Sequence, residues 1–135
     1  MSGDLGTRPL AQTLAETRAR FVAALGRADA EALAELYTAD ATLLPPAAAP
    51  ISGRQAIRRF WQAGLDAGIV AVRLEPAWLD HDVRLAYEAG SYELELEPAA
   101  ATAIVEHGNY VLVHSQHGDR WRRRVEIFAP ASPRA

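Results

Sequence analysis

Residues 26–46, which read GRADAEALAELYTADATLLPP, carry the signals that decide the fold. The glycine that opens this stretch is a typical end for a helix that comes before it. Asp29 is a typical N-cap for a second helix, and Leu33, Leu36 and Tyr37 form an apolar stripe at helical spacing. The stretch therefore predicts the end of one helix and a short second helix after it.

A short strand and a third helix are predicted next. Residues 41–44 read as a strand that two prolines end. Ser52 with Gln55 three residues later has the pattern of a capping box, so we place a helix over residues 53–65. Apolar residues at helical spacing also predict the first helix, over residues 7–26.

The apolar period changes from helical to alternating after residue 68, which predicts four long strands. Plausible turns fall at residues 79–82, 97–101 and 116–120. Strands joined by short turns pair antiparallel. The sequence therefore predicts an α+β domain in which three N-terminal helices pack against one antiparallel sheet and leave a small-molecule pocket between the two layers.

Size and composition exclude several classes of protein. The 135 residues make one domain, 1–135, and we expect frayed ends at about 1–7 and 130–135. The chain has no cysteine, which excludes disulfides and thiolate chemistry, and all 14 basic residues are arginine, which excludes a lysine Schiff base. The net charge of −3 argues against nucleic acid as a partner.

The chain also lacks the sequence marks of a membrane or secreted protein. No apolar run reaches the roughly 20 residues that span a bilayer. The first residues, MSGDLGTRPLAQ, have neither the basic start nor the apolar stretch of a signal peptide. We therefore expect a cytoplasmic protein with no membrane partner.

Several motifs resemble the nuclear transport factor 2-like superfamily, and more narrowly its SnoaL-like and ketosteroid-isomerase-like branches. They are residues 26–46, ISGRQAIRRFW at 51–61, LAYEAGSYEL at 85–94, HGNYVLVHSQHGDRW at 107–121 and RVEIF at 124–128. The resemblance spans about residues 14–128. It implies a cone-shaped roll with a curved sheet, a pocket between sheet and helices, and a homodimer.

The resemblance also implies where ketosteroid isomerase residues would fall. The family's base lies five residues after the aspartate that matches Asp40, which is Pro45 here. The family's oxyanion tyrosine falls on Phe21, and its donor carboxyl falls near Tyr110. The base and the phenol are thus missing, so a true ketosteroid isomerase is not expected.

Strand alternation, read with this alignment, predicts which side chains face the pocket. We expect catalysis from Glu126 as proton carrier and Tyr110 as hydrogen-bond donor, with Arg124 beside them on the same face. The predicted ligand-binding residues are Phe21, Tyr37, Leu44, Phe60, Trp61, Leu65, Val72, Tyr87, Ala89, Ser91, Leu112 and Phe128.

Simpler interpretations remain open for these residues. Glu126 and Arg124 could form only a satisfied ion pair that orients the sheet. The aromatic residues could simply fill the core. We interpret all four histidines, His81, His107, His114 and His117, as surface residues, and we expect no metal, because no histidine is spaced with a carboxylate as in a metal site. We expect no cofactor either.

Two functions compete. The first is a cofactor-independent enzyme of the isomerase, cyclase, dehydratase or epoxide hydrolase type, acting on a small apolar or polycyclic molecule. The alternative is a module that binds a small ligand, or only dimerises, without chemistry. A homodimer is expected through the outer face of the sheet, where alternation places Leu94, Leu96, Val111, Val113, Val125 and Ile127.

Overall fold

The computed structural model of the protein describes residues 9–131, which form three helices and six strands. In chain order these elements are α1 (Leu10–Gly26), α2 (Ala30–Glu35), β1 (Tyr37–Leu44), β2 (Ile51–Ser52), α3 (Arg54–Ala67), β3 (Ile69–His81), β4 (Leu85–Leu96), β5 (Ile104–His117) and β6 (Arg120–Pro130).

The strands form one curved, open sheet with the order β2-β1-β6-β5-β4-β3. The helices pack on its inner face, and the core lies between the two layers. The α+β class and the three covering helices are confirmed. The sheet is not wholly antiparallel, because β1 pairs parallel to β6. No hairpin joins these two strands, so nothing local forces them to run in opposite directions.

The helix ends follow the sequence signals in two of three cases. The first helix ends at Gly26, and the Asp29 side chain accepts a hydrogen bond from Ala32 N at 3.0 Å to cap α2. The capping box expected at α3 is wrong. Ser52 pairs with Thr42 in the sheet instead, and Gly53 takes the N-cap position with φ of 94° and no side-chain cap.

Strand β1 begins earlier than expected, and this moves Tyr37 from the apolar stripe of the second helix to the first residue of the strand. Two donors of Arg54, at the start of α3, hold Tyr37 there: Nε and Nη2 lie 3.1 and 2.7 Å from Tyr37 O. The short strand β2 was not predicted. Its two residues pair with Thr42 and Leu43 and bring the chain back toward α3.

The hairpins lie close to the predicted turns. Strand β3 continues through the expected turn at 79–82, and the chain reverses only where Asp82 N donates to Leu85 O at 2.8 Å. Strand β6 extends to Pro130, and Ala131 N donates to His107 O at 2.8 Å, so these two residues are not frayed. Residues 1–7 and 132–135 of the predicted frayed ends lie outside the described residues.

Candidate functional site

A cavity of about 470 Å³ lies between the inner face of the sheet, α3 and the loop after β1. Its volume is in the range that holds a small organic molecule. Six of the predicted side chains line it as apolar or aromatic walls: Phe21, Phe60, Trp61, Val72, Leu112 and Phe128. Two predicted polar residues, Tyr110 and Glu126, also line it.

The aromatic side chains of the cavity pack on one another around Trp61. The ring of Trp61 stacks against Phe128 with centroids 6.3 Å apart, and it meets Phe21 and Phe60 edge to face at 5.5 and 5.2 Å. Such edge-to-face pairs are favourable beyond the area they bury. The rings are therefore both core and cavity wall.

Three predicted ligand-binding residues on β4 lie on the wrong face. Tyr87, Ala89 and Ser91 alternate with Glu88 and Tyr92, which are buried on the inner side, so Tyr87 and Ser91 are exposed on the outer side. Strand β4 carries apolar residues on both faces. Its alternation therefore fitted two registers, which differ by one residue.

Three further predicted residues do not line the cavity. Leu44 pairs with Ile127 on the outer side of the sheet, one residue beyond Leu43, which belongs to the core. Leu65 is partly buried against the core. Tyr37 is fully buried behind the wall and touches the site through its hydroxyl.

Because of a β-bulge in β6, the arginine that reaches the site is Arg123 and not the predicted Arg124. Val113 pairs with Val125 and His114 pairs with Arg123, so Arg124 is the extra residue between them. Arg124 is turned toward solvent, where its Nη1 donates to Asp40 O at 3.2 Å. The buried arginine of the site is Arg123, which is 2% exposed and lines the cavity.

Glu126 is held at the cavity by two donors on one carboxylate oxygen. Its Oε1 accepts from Tyr37 Oη at 2.5 Å and from Arg123 Nη1 at 3.2 Å. Trp61 Nε1 donates to the same Tyr37 oxygen at 3.0 Å. Among the described residues none donates to Glu126 Oε2, and this oxygen is left to the cavity that Glu126 lines.

Burial, and then the neighbouring charge of Glu126, raise the pKa of Tyr37 well above its usual value of 10.0. Tyr37 therefore stays protonated at neutral pH and donates its hydrogen to the carboxylate. The guanidinium of Arg123 lies 3.8 Å above the centre of the Phe21 ring, which is cation–π geometry. These contacts fix both partners of Glu126.

A second buried carboxylate, Glu88, lies behind Tyr110. Its Oε2 accepts from Tyr110 Oη at 2.6 Å and from Arg18 Nε at 3.0 Å, and its Oε1 lies 3.0 Å from His114 Nε2. Glu88 is 1% exposed and His114 is 2% exposed, so the expected surface position of His114 is wrong. His114 is buried because it lies on the same face of β5 as Tyr110 and Leu112, where its ring meets Glu88.

Burial acts to raise the pKa of Glu88, but hydrogen bonds from His114, Tyr110 and Arg18 outweigh it and lower the pKa to about 2. Glu88 is thus a carboxylate at neutral pH. For Tyr110, burial first and then Glu88 raise the pKa above its usual value. Burial is also the main cause that lowers the pKa of His114, which keeps that ring neutral.

A further polar pair, Tyr92 and Glu106, lines the cavity. Tyr92 Oη donates to Glu106 Oε2 at 2.8 Å. A side chain at Gly108, which pairs with Tyr92 across the strands, would come within 2.6 Å of the Tyr92 ring, so only glycine lets this ring lie where it does. Pro45, the position of the base in the ketosteroid isomerase resemblance, also lines the cavity.

The polar residues of the site that the sequence analysis missed are Arg18, Glu88, His114 and Arg123, together with Tyr92 and Glu106. A charged side chain inside a strand pattern reads as solvent-facing, and only a known register could have turned Glu88 and Arg123 inward. Among residues 9–131, no group of three or more His, Cys, Asp or Glu residues could hold a metal ion. None of the helices that the structure describes is long and apolar enough to cross a membrane.

Comparison with solved structures shows the same fold at low sequence identity. A ketosteroid isomerase-like protein from Erwinia carotovora atroseptica SCRI1043 matches with a TM-score of 0.76 and 15% identity, over 87% of this chain and 93% of that one. A nuclear transport factor 2-like protein from Salmonella enterica serovar Typhimurium LT2 matches with a TM-score of 0.78 and 14% identity, over 92% of both chains.

A candidate dehydratase of the same superfamily from Streptomyces avermitilis matches with a TM-score of 0.76 and 13% identity, over 90% of this chain and 95% of that one. No curated protein sequence matches this chain. The sequence pattern of the SnoaL-like domain matches residues 19–132. The chain therefore belongs to the SnoaL-like domain family, in the nuclear transport factor 2-like superfamily.

Proposed function

We propose that this protein is a cofactor-independent enzyme in which Glu126 removes or carries a proton on a small, largely apolar molecule. The observation that supports this most directly is the state of the Glu126 carboxylate. One oxygen is fixed by Tyr37 and Arg123, and the other is left to the cavity. A base held in one orientation with a free lone pair is the arrangement that general base catalysis requires.

The rest of the cavity suits an apolar substrate. Its walls are mostly aromatic and aliphatic side chains, and its polar residues are few: Glu126, Arg123, Tyr110, Tyr92 and Glu106. A small number of polar groups in an apolar cavity fixes the orientation of a ligand. Isomerisation, cyclisation, dehydration and epoxide opening would all fit such a site.

Ketosteroid isomerase chemistry fits less well. Pro45 and Phe21, which line the cavity at the positions of the family's base and oxyanion phenol, carry no group that could take either role. One of the similar structures is a candidate dehydratase, and dehydration is a reaction that a carboxylate base can begin by removing a proton. We therefore favour another reaction that begins with proton abstraction by Glu126 over the isomerisation of a steroid.

The proposal can be tested with 5-nitrobenzisoxazole, a flat apolar molecule that fits the cavity and reports on any reachable base. A base takes the proton from carbon 3, the N–O bond breaks, and coloured 2-cyano-4-nitrophenolate is released. We expect the protein to accelerate this reaction and Glu126→Gln to lose at least about tenfold of the rate, since a well-placed general base contributes about 10²-fold or more.

Glu95→Gln is the matched control, because Glu95 is exposed on β4 and carries the same change of charge. It should retain the wild-type rate. Equal rates for the two variants, or a wild-type rate no higher than that of acetate at the same concentration, would overturn the proposal.

The second candidate is a binding module without chemistry, which the apolar cavity also favours. Mass spectrometry of small molecules that co-purify with the protein from its own host separates the two. A ligand recovered unchanged from both wild type and Glu126→Gln supports a binding module. A ligand that wild type converts and Glu126→Gln only binds supports the enzyme.

We also propose that two chains pair through the outer face of the sheet. The strand register places Trp78, Ala89, Val111, Ile127 and Leu44 in one row across that face. Tyr87, Val113 and Val125 form the next row. Two of the residues first expected here, Leu94 and Leu96, instead line the cavity, because β4 has the opposite register.

A further inference from the structure

Tyr110 lines the cavity, and the hydrogen of its hydroxyl is already used. Its Oη is 2.6 Å from Glu88 Oε2. Whether Tyr110 can give a hydrogen bond to a ligand depends on which of these two oxygens carries the proton.

Glu88 is held as a carboxylate, which can only accept hydrogen bonds. Arg18 Nε donates to its Oε2 at 3.0 Å, and His114 Nε2 lies 3.0 Å from its Oε1. These partners keep the pKa of Glu88 at about 2, although burial acts in the opposite direction. The hydrogen between Glu88 and Tyr110 therefore belongs to Tyr110.

It follows that Tyr110 offers the cavity only the lone pairs of its oxygen. A ligand hydroxyl can donate to these lone pairs, whereas a ligand carbonyl oxygen facing them would meet a second acceptor with no hydrogen between. The Tyr37 hydroxyl has no hydrogen to give to a ligand either, since it donates to Glu126 and accepts from Trp61.

We infer that the cavity selects apolar molecules that bear a hydroxyl group, such as an alcohol, a phenol or an enol, and that this hydroxyl donates to Tyr110 Oη. In this arrangement Tyr110 determines specificity. Glu88 is a positioning residue, because it acts on the ligand only by fixing the Tyr110 hydrogen. The inference rests on the cavity being the substrate site of the proposed function, and it narrows the class of substrate.

The test compares three probes with one bicyclic frame: 2-naphthol, 2-methoxynaphthalene and 2-acetylnaphthalene. Binding is measured by isothermal titration calorimetry at neutral pH. We expect 2-naphthol to bind about fivefold more tightly than the other two, as one hydrogen bond predicts. In Tyr110→Phe, which keeps the ring, this preference should disappear.

Glu88→Leu gives a second, independent result. It removes the oxygen that accepts the Tyr110 hydrogen, which frees this hydrogen to point into the cavity. We therefore expect the preference to move from 2-naphthol toward 2-acetylnaphthalene in this variant. If Glu88 only supports the fold, the substitution should weaken the binding of all three probes equally.

Glu126→Gln separates this inference from the proposed function. This variant should lose the acceleration of proton transfer and should still bind 2-naphthol more tightly than the other two probes. The inference is overturned if wild type binds the three probes equally or not at all, or if the preference survives in Tyr110→Phe. A preference that is lost only in Glu126→Gln would also overturn it, because the hydroxyl would then donate to Glu126.

Discussion

Tyr37 is fully buried, and both roles of its hydroxyl are used, as donor to Glu126 and as acceptor from Trp61. Tyr37→Phe would leave the Trp61 N–H without an acceptor and remove one donor from a buried carboxylate. We expect the free energy of unfolding in urea to fall by about 2 kcal/mol. The matched change Tyr87→Phe, on the exposed outer face, should alter it by less than about 0.5 kcal/mol.

The stability of the folded protein at acid pH depends on the ionisation of Glu88. Its folded pKa of about 2 lies below the usual value of 4.5, so its contribution is complete above pH 4.5 and is lost as the pH falls toward 2. We expect the melting temperature to drop over this window and Glu88→Gln to show a shallower drop. Glu95→Gln should follow the wild-type curve, and a Glu88→Gln curve as steep as wild type would contradict this assignment.

The bulge in β6 decides which of two adjacent arginines supports the site. Arg123 is buried against Glu126, whereas Arg124 is bonded to Asp40 near the surface. Arg123→Met should lower the free energy of unfolding by about 3 kcal/mol or more, because it leaves a buried carboxylate without its charged partner. Arg124→Met should lower it by less than about 1 kcal/mol. Urea denaturation of both variants checks this, and equal losses of unfolding free energy would exclude the bulge.

The elements of the fold were largely predictable because their signals are local. The Asp29 cap, the glycine at the end of α1 and the change of period near Gly68 need no knowledge of the tertiary structure. Strand β2 was missed because its two residues are a strand only by pairing with β1. The parallel pairing of β1 with β6 likewise brings together residues far apart in the chain, which no local pattern specifies.

The site was only half predictable for a related reason. Alternation together with the resemblance found Tyr110 and Glu126, because the resemblance set the register of their two strands. The same alternation failed at Tyr87 and Arg124, where two apolar faces or one inserted residue shift the pattern by one position. Glu88 was missed because its partners lie on two other elements, Arg18 on α1 and Tyr110 and His114 on β5, and the sequence does not show them together.

At the scale of the whole molecule, the outer face of the sheet predicts self-association. Val111 lies in the middle of the longer apolar row, between Ala89 and Ile127, and is 43% exposed. We expect wild type to sediment as a dimer at micromolar concentration and Val111→Asp to sediment as a monomer, because a buried unpaired carboxylate opposes association. Val83→Asp, in the hairpin between β3 and β4, is the control and should remain dimeric. A monomeric wild type would refute the dimer.

Strands β4, β5 and β6 carry cavity residues on one face and the apolar rows on the other, in strict alternation over much of their length. Tyr110 and Val111 are chain neighbours that serve these two faces. A homologue that acquires a new ligand through a change on the inner face must therefore keep the adjacent residue on the outer face, or change both residues together. We expect sequence variation between relatives to concentrate in the hairpins and on the solvent side of α1. We also expect changes in ligand specificity to accompany changes in oligomeric state.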